Sequence, residues 1–273
     1  MRRTALVVGL LAAVACATTP YTRRSQLILI SAEQETKLGA QAYQEVLAKS
    51  RLERSSAVVQ PIEAVGQRIA RVVNRPDFHW QFTVIDDPKQ QNAFALPGGK
   101  VAVYTGILPV AQTTAGLAVV LGHEIGHVVA RHGAERISQG LVAQVGGSML
   151  GALLGSGPSA NMVLAAYGLG AQLGVLLPFS RTQESEADHI GLLLMARAGY
   201  DPHAAVAFWQ RMERTGGSGP PEYFATHPSH GTREQQLRAW LPEAFPYFEA
   251  ATPAPDEPLP GVASAATRRR DRC

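Results

Sequence analysis

A chain of 273 residues, 46% of them hydrophobic, has enough apolar content to bury the core of one catalytic-sized domain with short appendages. Its 25 Lys and Arg against 22 Asp and Glu leave a net charge of +3, part of it at the two termini, which gives no ground for nucleic-acid binding. The only two cysteines are Cys16 and Cys273, so the body of the domain rests on no disulfide.

Residues 1–15 read as a secretory signal peptide: two arginines, an apolar run from Ala5 to Val14 too short to span a bilayer well, and small residues before Cys16. The sequence AVAC resembles a bacterial lipobox in which Cys16 becomes the lipid-bearing first residue of the mature protein. Ala13 stands where leucine is usual, and plain cleavage is the alternative. Residues 16–30 are expected to form a short polar tether.

Ser31 and Gln34 form a capping box that predicts a helix through about Lys49. A second helix is predicted from Pro61, with Ile62, Val65 and Ile69 on its buried face. Trp80, Phe82 and Val84 alternate with Gln81, Thr83 and Ile85, the pattern of a strand. Two more extended pieces follow in NAFALPGGKVAVYTG, split by a turn at Pro97, Gly98 and Gly99. From Thr113 almost to Leu241 the pattern is helical, with Gly199 closing one helix and Asp201–Pro202 opening the next. The fold class is therefore α+β, mostly helical, with a small sheet. The domain is assigned to residues 31–247, and the Pro- and Ala-rich, basic stretch 248–273 is expected to be disordered.

Between Arg136 and Arg181 the chain carries no charged residue. Length alone permits a membrane hairpin there, but both halves are glycine-rich and interrupted by Gln139, Gln144, Asn161 and Gln172. Two buried or partly surface-seeking helices are the favoured reading.

The stretch VVLGHEIGHVVARH, residues 119–132, is almost wholly apolar yet holds three histidines and a glutamate. Burying such groups unpartnered is costly, so a hydrogen-bond network or a metal ion must satisfy them. Residues four apart share a helix face, so His123 and His127 point the same way and are placed to hold one ion. In the arrangement H-E-x-x-H the glutamate, here Glu124, is not a ligand. It is placed to take a proton from water at the metal, whose pKa zinc lowers to about 7. Two core histidines paired to backbone or carboxylates are the structural alternative.

A tetrahedral catalytic site needs a third protein ligand. The extended pattern would put glycine at 130 and histidine at 133, where this chain has Ala130 and Gly133. His132 is one position off and is expected to point elsewhere, as a structural residue. The third ligand must come from another element, and SRTQESEADHIG is the best donor, with Glu184 and Asp188 four apart on a predicted helix. Glu184 is expected to reach zinc and Asp188 to accept a proton from the far nitrogen of a ligating histidine, fixing its tautomer. Glu186 is expected to point away, as a surface or salt-bridging residue. Alone, E-x-x-x-D on a helix would read as a solvated face; the upstream H-E-x-x-H decides against that.

In chain order, NAFALPGGKVAVYTG, GHEIGHVVARHGAER, LLPFSRTQESEADHIG and FATHPSHGTRE resemble the HtpX and CAAX-prenyl-protease family of HExxH zinc metallopeptidases. The periplasmic β-barrel assembly-enhancing protease and the mitochondrial stress-activated inner-membrane protease are the members closest in type, and the likeness covers residues 31–245. The resemblance implies a zincin, gluzincin-like fold and one Zn2+ per chain held by His123, His127 and Glu184, with Glu124 as general base and Asp188 behind the ligands. In the assembly-enhancing type a histidine of a T-H-P motif approaches the zinc and blocks the water site at rest; His227 of THPSH matches it. His230 and Arg233 follow, and either is a candidate to polarise the substrate carbonyl or hold the oxyanion, with plain loop and helix packing as the alternative.

The NAFALPGGKVAVYTG region is then expected to offer a strand edge that pairs with an extended peptide irrespective of its sequence. Together these expectations describe a zinc endopeptidase of the periplasm, anchored to the outer membrane through lipid on Cys16. Its expected partners are misfolded or stalled envelope proteins and no nucleic acid. The substrate class comes from the resemblance alone. A zinc-stabilised chaperone that does not cut and a membrane-embedded peptidase are the rival readings.

Overall fold

The computed structural model describes residues 16–153, 180–215, 227 and 232–260. The expected signal peptide, the segment 154–179, His230 and the basic end from 261 onward lie outside the described residues. A hairpin of β1 (Cys16–Thr18) and β2 (Ser25–Leu27) precedes helices α1 (Ala32–Ala48) and α2 (Ser56–Val73). Strands β3 (Gln81–Ile85), β4 (Ala93–Leu96) and β5 (Lys100–Tyr104) follow, then a 3-10 turn at Thr105–Ile107 and a short α3 (Leu108–Ala111). The rest is helical: α4 (Thr114–Val129), α5 (His132–Leu153), α6 (Arg181–Arg197), α7 (His203–Thr215) and α8 (Arg233–Ala250). The mostly helical α+β class expected from the sequence is the one observed.

The capping box of α1 is formed: Gln34 N donates to Ser31 Oγ at 3.1 Å and Ser31 N donates to the Gln34 side chain at 2.9 Å. Helix α2 begins at Ser56 rather than at Pro61. Val58 and Val59 pack on the core together with Ile62, Val65 and Ile69, so the apolar face starts before the proline.

In the small sheet β5 is central, parallel to β3 and antiparallel to β4, so β4 is an edge strand. Phe82 and Val84 of β3 face the main core as alternation requires. Ile85 is buried as well, in a second cluster with Tyr43 and Ala102. Strand β4 lies alongside α4.

Every residue of α4 from Thr114 to Val128 is buried, and α6 crosses it at unusually short range. A Cβ on Gly122 would stand 2.8 Å from the Gly191 carbonyl oxygen, and one on Gly126 would stand 2.8 Å from that of Ala187. Only missing side chains allow two backbones to come this close. The crossing brings HEIGH and ESEAD, which start 61 positions apart in the chain, face to face.

Two stretches expected to be loose are docked. In the expected tether, Thr19, Gln26 and Ile30 are buried, and Leu29 N donates to Ser138 Oγ of α5 at 2.8 Å. The expected disordered tail also requires correction over residues 248–260. Helix α8 runs to Ala250, and the chain then continues along the molecule, with Ala254 N donating to Gly199 O and Leu259 N to Gln112 O. Leu259 is buried. The reason lies at the start of α4, where Thr114 N donates to Glu257 O at 2.9 Å and Ala115 N to Asp256 Oδ1 at 3.0 Å. The first N–H groups of a helix have no partner within it, and this segment supplies them. No helix among the described residues is long and apolar enough to cross a membrane.

Candidate metal centre and active site

Two helix starts position the site. Thr113 Oγ1 accepts from Gly116 N at 3.2 Å and caps α4, while Ser180 and Gln183 form a capping box that opens α6 and leaves Glu184 in its first turn. His123 and His127, one turn apart on α4, face the same way with their Nε2 atoms 3.0 Å apart. Glu184 meets them from α6, with Oε2 3.5 Å from His123 Nε2 and Oε1 3.3 Å from His127 Nε2. His227 closes the group: its Nδ1 lies 3.0 Å from Glu184 Oε1 and 3.3 Å from His123 Nε2.

All four residues are buried, and one ligand atom from each lies within 4.8 Å of every other. The donor chemistry fits zinc, which takes imidazole nitrogen and carboxylate oxygen in tetrahedral sets. Glu184 is fully buried, and its Oε2 accepts no hydrogen bond among the described residues. That oxygen lies 3.5 Å from both His123 Nε2 and Arg233 Nη2, and a buried carboxylate beside two converging imidazole nitrogens is the donor set of a cation site. Burial opposes ionisation of Glu184, but the charge of His227 and hydrogen bonds from His123 and His127 outweigh it and hold the carboxyl well below its ordinary range.

The two α4 histidines are supported differently. His123 Nδ1 lies 2.8 Å from Asp188 Oδ1. Burial pushes this imidazole down, yet Asp188 and Glu184 outweigh it and raise the ring to about 9. The Asp188 carboxyl is held low against its own burial by Arg233 and His123. His127 has an imidazole at its far nitrogen. Its Nδ1 meets His132 Nδ1 at 2.8 Å, and burial keeps it well below the usual histidine value.

Asp188 supports His123, and His227 enters the ligand group. The His227 ring also turns Nε2 toward Glu124 Oε1, 3.6 Å away, so it spans from the ligands to the expected general base.

Three residues differ from expectation. Arg233 donates to Asp188 through Nη2 at 2.6 Å, pairs with it through Nε at 2.5 Å, and lies over the Trp209 ring with Cζ 3.4 Å from the centroid. The guanidinium packs behind the ligands, as the packing alternative held, with Nη2 also 3.5 Å from Glu184 Oε2. Glu186 does form salt bridges, as one reading of it held, but it is buried, not on the surface. His132 is no ligand, yet it does not point elsewhere: it stands directly behind His127. His230 lies outside the described residues.

This is the HExxH and ExxxD geometry of a metallopeptidase centre, and comparison with known proteins agrees. The profile of peptidase family M48 matches residues 57–241. The chain belongs to peptidase family M48. Among similar family M48 proteins, the mitochondrial metalloendopeptidase OMA1 of Schizosaccharomyces pombe is 39% identical over 231 residues, covering 82% of this chain and 66% of its own length. OMA1 of Saccharomyces cerevisiae is 30% identical over 253 residues, covering 84% of this chain and 70% of its own. The β-barrel assembly-enhancing protease of Yersinia pestis is 33% identical over 232 residues, covering 82% of this chain and 47% of its own. The chain thus spans between 47% and 70% of the length of these relatives.

Proposed function

We propose that this chain is a zinc-dependent endopeptidase that cuts extended polypeptide segments in the cell envelope. The observation that carries the proposal is the buried set His123, His127 and Glu184, with Glu124 next in sequence to the first ligand and reached by His227. Zinc held by these residues supplies Lewis-acid activation of water, bringing its pKa to about 7. Glu124 takes the proton of the attacking water and delivers it to the leaving amine. Asp188, itself held by Arg233, orients His123 through Nδ1. His227, 3.6 Å from Glu124 Oε1 and 3.0 Å from Glu184 Oε1, is proposed to block the attacking water in a resting form.

The edge strand β4 beside α4 is the natural platform for substrate, because an extended peptide adds to a sheet edge through backbone hydrogen bonds whatever its sequence. The relatives' names, metalloendopeptidase and β-barrel assembly-enhancing protease, support the peptidase reading. Placement in the periplasm, with a lipid on Cys16 at the outer membrane, rests on the leader-like residues 1–15 and the AVAC sequence.

The test is cleavage of an unfolded protein such as reduced casein by wild type and by Glu124→Gln, each with its zinc content measured. Cleavage by wild type alone, with zinc in both, is the expected result. Equal, absent cleavage with zinc retained would instead mark a chaperone that binds without cutting. Mass spectrometry of the mature N-terminus reads out the lipid on Cys16.

A further inference from the structure

His127 and His123 are matched ligands with unmatched support, and the difference leads to the beginning of the chain. Behind His127 stands His132, fully buried, with Nδ1 2.8 Å from His127 Nδ1 and Nε2 3.0 Å from Glu186 Oε2. A carboxylate only accepts, so His132 must donate from Nε2. In a neutral ring its Nδ1 is then a bare acceptor, and His127 must donate to it from Nδ1. That leaves the lone pair of His127 Nε2 facing Glu184 and His123, as a metal ligand requires. The tautomers follow from this network.

Glu186, the head of this series, is held mainly by the segment that follows Cys16. Thr19 Oγ1 donates to Glu186 Oε1 at 2.5 Å, Thr22 Oγ1 donates to the same oxygen, and Arg24 Nε donates to Oε2 at 2.7 Å. Arg24 then spreads its two remaining nitrogens over both oxygens of Glu135, each at 2.7 Å, and Gln183 Nε2 donates to Glu135 Oε2 as well. The turn between β1 and β2 therefore ties the start of α5 to the first turn of α6. A buried carboxylate deprived of those donors would turn toward whatever else could satisfy it.

We propose that the Thr19–Arg24 turn is a positioning element of the metal centre, holding Glu186 so that, through His132, ligand His127 presents Nε2 to the metal. The inference rests on the metal-site reading above and adds His132, Glu186, Thr19, Thr22 and Arg24 to it as positioning residues. Zinc affinity then depends on whether the N-terminal hairpin is docked, in a protein whose N-terminus is the expected anchor.

The experiment uses the full chain and reads the zinc Kd by chelator competition. It also records the visible spectrum of the Co2+-loaded protein and the urea midpoint of the metal-free protein. His132→Ala, Glu186→Ala and the combination Thr19→Val, Thr22→Val and Arg24→Ala are each expected to weaken zinc by about 10- to 100-fold, as loss of groups behind ligands does, with a changed Co2+ spectrum. His132→Asn keeps an acceptor for the His127 Nδ1–H and is expected to restore most of the affinity and the spectrum.

Equal weakening by His132→Asn and His132→Ala, tracking the urea midpoint, would reduce the effect to packing and overturn the proposal. So would a hairpin variant that binds zinc as tightly as wild type. Should His132→Ala fail to fold, the hairpin variant, which changes only residues of the N-terminal segment, decides alone. Wild type that takes up no zinc would remove the metal-site reading and this inference with it, whereas zinc-binding wild type with unaffected variants removes only the inference.

Discussion

Gly122 and Gly191 meet backbone to backbone: a Cβ on Gly191 would lie 2.7 Å from both Gly122 C and His123 N. Glu184 and Asp188 are on the same helix as Gly191, so the spacing of the two backbones sets the distance between imidazole and carboxylate ligands. Gly191→Ala must push α6 away. The expected result is a loss of about 1–3 kcal/mol in urea unfolding, the usual cost of overpacking, together with weaker zinc binding. Gly140→Ala on α5, where a Cβ meets nothing within 4 Å, is the control and should be neutral or slightly stabilising.

His227 lies 3.6 Å from Glu124 Oε1 and 3.0 Å from Glu184 Oε1; in the proposed mechanism it blocks the attacking water, and it is not among the three ligands expected to suffice. Replacing it with alanine should leave zinc content unchanged and raise cleavage of an unfolded substrate. If the blocked form holds nine-tenths of the population, the gain is about tenfold. Steady-state cleavage with metal analysis checks this, and a loss of both zinc and activity would make His227 an obligatory ligand instead.

Chelation should do more than stop turnover. It leaves Glu184 buried with an oxygen that accepts no hydrogen bond among the described residues, and it removes binding energy that favours the fold. At free zinc about 1,000-fold above Kd, the lost stabilisation is about 4 kcal/mol, or roughly 10 °C in Tm for a domain of this size. Differential scanning calorimetry before and after chelation, with restoration by added zinc, measures it.

Acid should loosen the N-terminal hairpin. Burial would raise the Glu135 carboxyl, but Arg24 and Gln183 outweigh it and hold it below 4.5. A carboxylate lowered in the fold contributes stability that is present above its ordinary value and lost as pH falls through the folded one. The urea midpoint should therefore drop as pH falls below about 4.5 and through the lowered folded value. Arg24→Gln should flatten that drop; an unchanged acid profile would show that Glu135 gains nothing from Arg24.

How far the sequence could be read follows from the physics of each signal. His123, Glu124 and His127 were legible because a 3.6-residue period puts i and i+4 on one face, and Glu184 with Asp188 repeats the geometry. His132 was misread because helical phase was carried through it. In fact α4 ends at Val129, Arg131 takes φ of 58°, and α5 starts afresh at His132, so its ring swings back onto His127. Strands of three residues such as β1 and β2 are too short to show a period of two, which hid the hairpin. The Pro- and Ala-rich stretch after α8 is ordered by backbone groups at the start of α4, and backbone pairing leaves no trace in composition.

That last contact has a temporal side. Glu257 N donates to Thr114 Oγ1 across 143 positions, and with Asp256 this segment completes the opening turn of the helix that bears HEIGH. Those residues are translated after every proposed ligand, so in the nascent polypeptide the first N–H groups of this helix lack these partners until residues 256 and 257 have been made.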